Sequence, residues 1–174
     1  YLQVFEPVQH EIGRLWQTNQ ISVAHEHYAT SVTQSIMSEL YPYIYSASER
    51  RNLKLVAACV NNELHEIGIR MVSDFFEMNG WESIYLGANT PPEDFSGIVS
   101  DLKPDLVALS ATMTFNVSHV RHIIELLDEL EDRPPVMVGG YPFNVDIKLW
   151  KKVGADLHAA DASGAVKVAE EFLD

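Results

Sequence analysis

The stretch LKLVAACVNNELHEIG, residues 53–68, decides how the rest of the chain is interpreted. Its first half, Leu53–Val60, is short and almost continuously apolar, which is typical of a strand buried on both faces of a sheet. Its second half is polar, contains His65 and ends at Gly68. A buried strand followed at once by such a loop predicts a parallel sheet whose ligand site lies at the carboxyl end of the strand.

Further apolar runs follow along the chain, and helix-like stretches separate them. The predicted strands are Leu53–Val60, Ser83–Leu86, Leu106–Ser110, Val136–Val138 and Asp156–Ala159. The predicted helices are Ile67–Met78, Glu93–Leu102, Val117–Leu130, Val145–Val153 and Ala162–Leu173. Short buried strands that alternate with amphipathic helices predict an α/β fold, namely a Rossmann-like or flavodoxin-like five-stranded parallel sheet flanked by helices.

Residues 1–48 have a helical character and are expected to form a separate cap. A first apolar stripe at helical spacing consists of Val8, Ile12, Leu15 and Trp16. Ser22 is a suitable N-cap for a second helix from about Val23 to about Leu40, which Pro42 should end. Two helices cannot bury their apolar sides alone, so they must pack on the sheet, on further helices or on another subunit. We therefore predict a partial helical-bundle cap, 1–48, before a sheet domain, 49–174.

Charge and composition exclude several classes of function. The 174 residues include 12 Lys and Arg against 25 Asp and Glu, a net charge of −13 that repels phosphate backbones and argues against direct nucleic-acid binding. We see no apolar run long enough for a membrane span. The single cysteine, Cys59, lies inside a predicted strand and should be a buried thiol, which favours a reducing, cytoplasmic location. The chain begins with Tyr1 rather than Met, which suggests a longer protein.

The loops after the predicted strands carry small, polar and glycine residues that would allow a large ligand to approach the backbone closely. The candidates in these loops are Glu63, His65, Gly68, Gly87, Ser110, Thr112, Gly139 and Gly140. A G-x-G-x-x-G motif does not follow the first strand, which argues against a dinucleotide site, and there is no P-loop lysine.

Three of these loops resemble, in order, those of cobalamin-binding domains over roughly residues 50–174. The run ELHEIG, 63–68, resembles the family's D/E-x-H-x-x-G motif, Ser110 and Thr112 match its serine position and the neighbouring position, and Gly139-Gly140 match its double glycine. The glutamate form of the motif is similar to the CarH-type branch of cobalamin-dependent photoreceptors. So is the pattern of Trp16, nine residues and then Glu26-His27.

This resemblance implies that His65 is the lower axial ligand of a corrinoid cobalt and displaces the cofactor's own base. Glu63, two residues before it, would accept the second ring N–H and fix the tautomer. Gly68 would let the following helix start close to the ligand. The slot for the cofactor's tail would be lined by Ser110, Thr112, Gly139 and Gly140.

The resemblance also implies roles for the helical cap at the upper face of the cofactor. Trp16 would cover the upper ligand, Glu26 would hydrogen-bond an adenosyl group, and His27 would bind cobalt after light breaks the cobalt–carbon bond. The implied function is a light sensor that uses adenosylcobalamin, with methylcobalamin or hydroxocobalamin as alternatives. It would be a homo-oligomer and not an enzyme, with its output domain or partner outside this chain. The family's cap is normally a four-helix bundle, whereas only two helices precede this sheet.

Other interpretations stay open. The chain could instead be the corrinoid-carrying protein of a methyltransferase system, which would share the sheet domain and the histidine motif. A mutase would need a large barrel, which this chain lacks. Taken singly, each candidate also has an ordinary structural explanation, such as a polar loop residue for His65, a helix cap for Ser110 or a tight turn at Gly139-Gly140. His119 and His122 are interpreted as surface residues.

Overall fold

The computed structural model describes residues 1–173 and divides the chain into two compact units. The first unit is Tyr1–Ile44 and the second starts at Tyr45, whereas the boundary predicted from the sequence falls after residue 48. The first unit consists of two helices, α1 (Phe5–Gln17) and α2 (Val23–Tyr45). The second unit contains all the strands of the described chain.

The helical unit leaves much of its apolar surface open. None of the residues of α1 is fully buried, although the helix has a marked apolar side. A hydrogen bond of 2.7 Å from the Gln9 amide to the Thr33 hydroxyl connects α1 to α2. Apolar side chains of both helices line a groove of about 360 Å³, formed by Val4, Phe5, Val8, Ile12, Tyr28, Ala29, Val32, Thr33 and Ile36. This open groove agrees with the expectation that two helices cannot bury their apolar sides alone.

The prediction that Pro42 ends the second helix is wrong, because α2 continues through Pro42 to Tyr45. A proline inside a helix removes one backbone hydrogen bond, and that usually stops the helix. Here the extra turn places Ile44 in a buried position, with 5% of its surface exposed. Burial of an apolar side chain of this size contributes about 1.5–3 kcal/mol, which is comparable to the usual cost of a proline inside a helix.

The second unit is a five-stranded parallel sheet with the strand order β2-β1-β3-β4-β5, which confirms the predicted fold class. The strands are β1 (Lys54–Val60), β2 (Glu82–Thr90), β3 (Leu106–Ser110), β4 (Val136–Gly139) and β5 (Leu157–His158). The helices are α3 (Ile67–Met78), α4 (Pro92–Leu102), α5 (Val117–Leu127), α6 (Tyr141–Val145), α7 (Leu149–Val153) and α8 (Ala162–Leu173), and a 3-10 turn spans Thr114–Asn116.

Helices cover the sheet on both faces, because alternate side chains of β1 enter two different apolar clusters. Val56 and Ala58 pack with Phe95 and Ile123 of α4 and α5. Leu55, Ala57 and Cys59 pack with residues of α3 and α8, together with Phe76 and Trp81. Burial raises the pKa of the Cys59 thiol, so this cysteine is a neutral core side chain, as the sequence predicts.

Most elements of the second unit agree with their predicted extents to within one residue at either end, but α5 ends at Leu127 rather than Leu130, and two others differ more. The stretch predicted as one helix, Val145–Val153, is divided between α6 and α7, because Asp146 adopts an extended conformation and its carboxylate accepts the Lys148 N–H at 2.9 Å. Strand β2 is longer than predicted and continues through Gly87 to Thr90. Irregular pairing with β1 and a positive φ of 84° at Gly87 accompany this extension.

The register of the central strands brings the candidate loops together at one edge of the sheet. Cys59 of β1 lies opposite Ser110 of β3, and Ser110 lies opposite Gly139 of β4. The loops that follow these three strands are therefore neighbours, and they carry most of the candidate ligand-binding residues.

Gly140, directly after β4, is expected to tolerate no side chain. Its φ is +104°, and a Cβ placed on it would lie 2.1 Å from the Ala111 carbonyl oxygen. We expect Gly140→Ala to lower the free energy of unfolding by roughly 3 kcal/mol, from backbone strain and overlap together. Gly97→Ala is the matched control, since Gly97 lies inside α4 and a Cβ added there would meet no atom within 4 Å, and it should stabilise by about 0.5–1 kcal/mol. Urea denaturation measures the free energy of unfolding of both variants. An equal change in Gly140→Ala and Gly97→Ala would contradict the close approach of Gly140 to Ala111.

Candidate functional site

A buried carboxylate, that of Glu63, forms the centre of the candidate site. The side chain is fully buried, and both of its oxygens accept hydrogen bonds. One oxygen accepts from the His65 ring at Nδ1, at 2.5 Å, and from the His65 backbone N–H at 3.2 Å. The other accepts from the backbone N–H groups of Thr112 and Met113, at 2.8 and 2.9 Å, and from the Asn116 amide at 3.0 Å.

These contacts keep Glu63 ionised. Burial alone would raise the pKa of the Glu63 carboxyl, but the hydrogen bonds from His65, Met113, Asn116 and Thr112 outweigh burial and hold that pKa well below its usual range. A carboxylate can only accept hydrogen bonds, so Nδ1 of His65 carries the proton that it donates. In the neutral form of the ring, which is the form that binds a metal, the lone pair is then on Nε2, and about half of the His65 side chain is exposed. The site thus offers one oriented ring nitrogen as a metal ligand.

The loop that carries Glu63 is fastened to its neighbours through backbone groups. Asn62 adopts a positive φ of 62°, and its N–H donates to the Asn89 side chain at 2.8 Å. The Asn89 N–H donates in turn to the Glu63 carbonyl at 2.9 Å. The Asn116 amide donates to the Asn62 carbonyl at 3.2 Å. Contacts from the end of β2 and from the 3-10 turn after β3 therefore fix the loop that carries the histidine.

Gly87 and Gly68 lie in different environments. The Tyr85 hydroxyl donates to the Glu66 carboxylate at 2.7 Å, and a Cβ on Gly87 would lie 3.5 Å from that same carboxylate oxygen. Burial, together with this bond to Glu66, raises the pKa of Tyr85. In contrast, a Cβ on Gly68, in the first turn of α3, would meet no described atom within 4 Å. Packing within the protein therefore gives no reason for glycine at position 68.

Ser110, Gly139 and Gly140 are placed beside the Glu63 loop by the sheet. Ser110 is buried, and Gly139 accepts a hydrogen bond of 3.2 Å from the Ala111 N–H. A Cβ on Gly139 would lie 3.3 Å from the Ala159 carbonyl oxygen, which is tight, and one on Gly140 would overlap the Ala111 backbone. The packing of the protein itself therefore favours glycine at both positions. The predicted contact of the cofactor's tail with Ser110, Thr112, Gly139 and Gly140 stays a prediction.

The other predicted residues belong to the helical unit. Trp16 is near the end of α1 and is 41% exposed. Glu26 and His27 lie in the first turn of α2, where the Thr30 hydroxyl donates to Glu26 at 2.8 Å and the His27 ring lies 3.5 Å from the Glu26 carboxylate. The side chain of His27 is 74% exposed. The roles predicted for these three residues at the upper face stay predictions.

Asn116 is a residue of the site that the sequence analysis missed. It is fully buried and donates to both Glu63 and Asn62. Its position directly before α5 looks like that of an ordinary helix cap, yet its side chain makes no capping hydrogen bond with that helix. Only the contact across the sheet edge identifies it, because its partners are more than fifty residues away in the chain.

The donor set fits a corrinoid better than a bare metal ion. Within residues 1–173 there is no group of three or more side chains that could hold a metal ion. A corrin ring supplies the equatorial nitrogens itself, so the protein needs to supply only one neutral imidazole, as His65 does. His122 lies 3.7 Å from Glu93 and 3.9 Å from Glu125 and is about half exposed, which agrees with the interpretation of a surface residue.

Comparisons with known proteins identify the family. A family model described as a B12 binding domain matches residues 53–167, and a second model with the same description matches residues 1–41. Dimethylamine corrinoid protein 3 of Methanosarcina acetivorans is 31% identical over 94% of this chain and 76% of its own length. The protein of that name from Methanosarcina mazei is 36% identical over 74% of this chain and 76% of its own length. The chain therefore belongs to the B12-binding domain family.

Solved structures support the same fold. The monomethylamine corrinoid protein of Methanosarcina barkeri superimposes with a TM-score of 0.82, at 24% identity, and the match covers 94% of this chain and 78% of that protein. The family models and the relatives support the cobalamin binding predicted from the loop motifs, and the names of the relatives agree with a binding protein rather than an enzyme. These relatives are corrinoid proteins for methylamines and not photoreceptors, so the finer resemblance to the CarH-type branch is not supported by them. In the described part of the chain, we find no helix of the length and hydropathy that a membrane span requires.

Removal of the Asn116 amide should destabilise the protein even without cofactor. Asn116→Ala deprives the buried Glu63 carboxylate of one donor and leaves the Asn62 carbonyl without this partner, at a cost of about 2–3 kcal/mol in the free energy of unfolding. The matched control is Asn144→Ala, an exposed residue whose amide donates to the Ala160 carbonyl at 3.1 Å, where we expect a loss within about 1 kcal/mol. Urea unfolding of both apoproteins at neutral pH measures the two losses in the free energy of unfolding. If Asn116→Ala loses no more than Asn144→Ala, the role given to the Asn116 amide is refuted.

Proposed function

We propose that this chain is the corrinoid-carrying protein of a methyltransferase system. The observation that carries the proposal is the oriented His65 imidazole, held by an ionised and buried Glu63 inside a B12 binding domain. The cobalt of a bound corrinoid would supply the position on which a methyl group is held between two partner proteins. Of the two functions that the sequence analysis left open, the carrier is the one that the relatives favour.

The names of the relatives point to the source of the methyl group. Dimethylamine corrinoid proteins of two Methanosarcina species and the trimethylamine corrinoid protein of Methanosarcina barkeri match between 74% and 94% of this chain, at 29–36% identity. We infer that the methyl donor of this system is a methylated amine or a small methylated compound of that kind. The partner that acts on it would be a separate methyltransferase, since this chain is a carrier.

The residues of the site are suited to a carrier because they would bind the cobalt without taking part in the transfer of the methyl group. His65 would bind cobalt through Nε2, while Glu63 keeps Nδ1 protonated and prevents the ring from rotating. Hydrogen bonds to Thr112, Met113 and Asn116 hold Glu63 in place. A metal ligand anchored in this way keeps its orientation when the ligand on the opposite face of the metal changes.

This proposal changes the expected form of the cofactor. A methyl carrier works with methylcobalamin and its demethylated, reduced form, whereas the adenosylcobalamin predicted from the photoreceptor resemblance belongs to light sensing. The predicted homo-oligomer and the predicted roles of Ser110, Gly139 and Gly140 at the cofactor's tail do not depend on which of the two forms is bound.

Methyl transfer to the bound corrinoid tests the proposed function directly. The protein is loaded with hydroxocobalamin, reduced, and mixed with a methylamine methyltransferase and monomethylamine, dimethylamine or trimethylamine in turn. We expect one amine to convert the visible spectrum of the bound corrinoid to that of its methylated form. His65→Ala should weaken corrinoid binding at least about tenfold and change the lower-ligand spectrum, because the cobalt loses its protein ligand.

The control is His122→Ala, which removes a half-exposed histidine of α5 and should behave as wild type. A wild-type protein that binds corrinoid but takes no methyl group from any of the three amines would contradict a methylamine carrier. A His65→Ala protein with unchanged affinity and spectrum would show that another group binds the cobalt.

Light sensing remains the second candidate function, and a specific pattern favours it. Trp16 is separated from Glu26-His27 by nine residues, as in the CarH-type branch, and the structure places these residues near the end of α1 and at the start of α2. The His27 ring is largely exposed and its only described acid neighbour within 4 Å is Glu26. A ring in this position is accessible to an approaching metal.

Illumination of the adenosylcobalamin-loaded protein separates the two functions. Every alkylcobalamin loses its upper ligand in light, so the decisive readout is whether the photoproduct spectrum depends on His27. For a methyl carrier, we expect His27→Ala to leave that spectrum unchanged, like the control His25→Ala, whose ring nitrogen lies 2.7 Å from the Ser22 hydroxyl. A photoproduct that changes only in His27→Ala would favour the sensor instead.

A further inference from the structure

Two large apolar side chains on the loops that hold His65 are each more than two-thirds exposed. Leu64 is 73% exposed and Phe115 is 68% exposed, although the loop residues directly beside each of them, Glu63 and Asn116, are fully buried. Apolar side chains exposed beside a ligand site can gain free energy by contact with an apolar part of the ligand.

The position of both side chains is fixed by the same anion. Leu64 lies between Glu63 and His65, and both of these neighbours take part in the hydrogen bond at Nδ1. Phe115 is the middle residue of the 3-10 turn Thr114–Asn116. Met113, directly before this turn, and Asn116, its last residue, donate to the other oxygen of Glu63 at 2.9 and 3.0 Å. Hydrogen bonds to Glu63 therefore connect the loop after β1 with the segment after β3, and each of the two carries one apolar side chain that is more than two-thirds exposed.

Other exposed apolar residues of the same sheet edge lack this connection. Val145 and Ile147 follow β4 and are 67% and 69% exposed. They belong to the segment around α6, and no hydrogen bond described for Glu63 comes from that segment. Leu64 and Phe115 thus differ from these residues by their link to the histidine and not by their exposure.

We propose that Leu64 and Phe115 flank His65 as an apolar bracket that packs against the lower face of the bound corrin ring and keeps water away from the bond between His65 and cobalt. This inference rests on the proposed corrinoid-carrying function and deepens it. The rim of a corrin ring carries methyl and methylene groups that are suited to apolar contacts. A hydrophobic surround restricts the access of solvent to a metal site, so the bracket would slow the replacement of His65 by water or another small ligand.

The test uses the full chain with hydroxocobalamin as the probe, and it has two readouts that do not depend on methyl transfer. The first is the dissociation constant, measured from the visible spectrum during titration. The second is the rate at which excess cyanide displaces His65, seen as the appearance of the dicyano form. The variants are Leu64→Ala, Phe115→Ala and the double variant, with Val145→Ala and Ile147→Ala as equally exposed controls at the same sheet edge.

We expect Phe115→Ala and Leu64→Ala each to weaken binding roughly three- to tenfold, in proportion to the apolar area lost, and the double variant to lose roughly tenfold or more. Cyanide should displace His65 faster in all three. The controls should match wild type in both readouts. Phe115→Met keeps an apolar side chain of similar reach and should restore most of the affinity, and urea unfolding of the apoproteins checks that the exposed substitutions leave the fold intact.

The outcomes separate the bracket from the proposed function. If Leu64→Ala and Phe115→Ala bind the probe and exchange His65 as wild type does, while His65→Ala loses binding, the bracket is refuted and the carrier function stands. If the variants keep both readouts but lose methyl transfer from the partner methyltransferase, the two side chains are a protein-docking surface and the bracket is likewise refuted. If wild type itself does not bind hydroxocobalamin, the carrier function and the bracket fail together.

Discussion

The site depends on one buried negative charge and the N–H groups that surround it. An isolated carboxylate in the interior of a protein would be too costly to keep ionised, and it would take up a proton instead. Glu63 avoids this because its two oxygens accept five hydrogen bonds, three of them from backbone N–H groups. All of these donors lie in the loops after β1 and β3, which are adjacent only because the strand order places β3 beside β1. The topology of the sheet therefore stabilises the charge, and the charge then fixes the histidine.

This dependence explains why the chain can prepare its ligand before a cofactor arrives. The hydrogen bond from Nδ1 leaves only Nε2 of His65 with a lone pair, and the tightly held loop limits the freedom of the ring. Ordering a flexible loop on binding would reduce affinity, whereas a loop that is already ordered does not carry that cost. Metal ligation by His65 then requires little rearrangement of the described residues around Glu63.

The sequence predicted the sheet and the central pair of the site well, because both depend on local pattern. Apolar runs identified every strand, and the two-residue spacing of Glu63 and His65 predicted their hydrogen bond, which is present. Asn116 was missed because its contacts lie across the sheet edge and leave no trace in the neighbouring residues. The course of α2 through Pro42 was missed because burial of Ile44, a tertiary effect, outweighs a local rule about proline. The choice between photoreceptor and carrier rested on the spacing of Trp16 and Glu26-His27 in a short helical segment. The spacing of these residues does not determine which reaction a bound cofactor takes part in.

The glycines of the motif show how packing separates the needs of the fold from those of a ligand. Gly140 is required by the chain itself, because a side chain there would overlap the Ala111 backbone. Gly68 is not, since a Cβ at that position would meet no described atom within 4 Å and its helical conformation suits any residue. Gly97 inside α4 is equally unhindered, so open space around a glycine does not by itself indicate a ligand. Gly68 lies in the first turn of α3, three residues after His65, and its predicted role, to let this helix start close to the ligand, stays a prediction. The exposed side chains of Leu64 and Phe115 bear on the ligand in a different way, because contact with the apolar rim of a corrin would remove their surface from water and so add to the affinity.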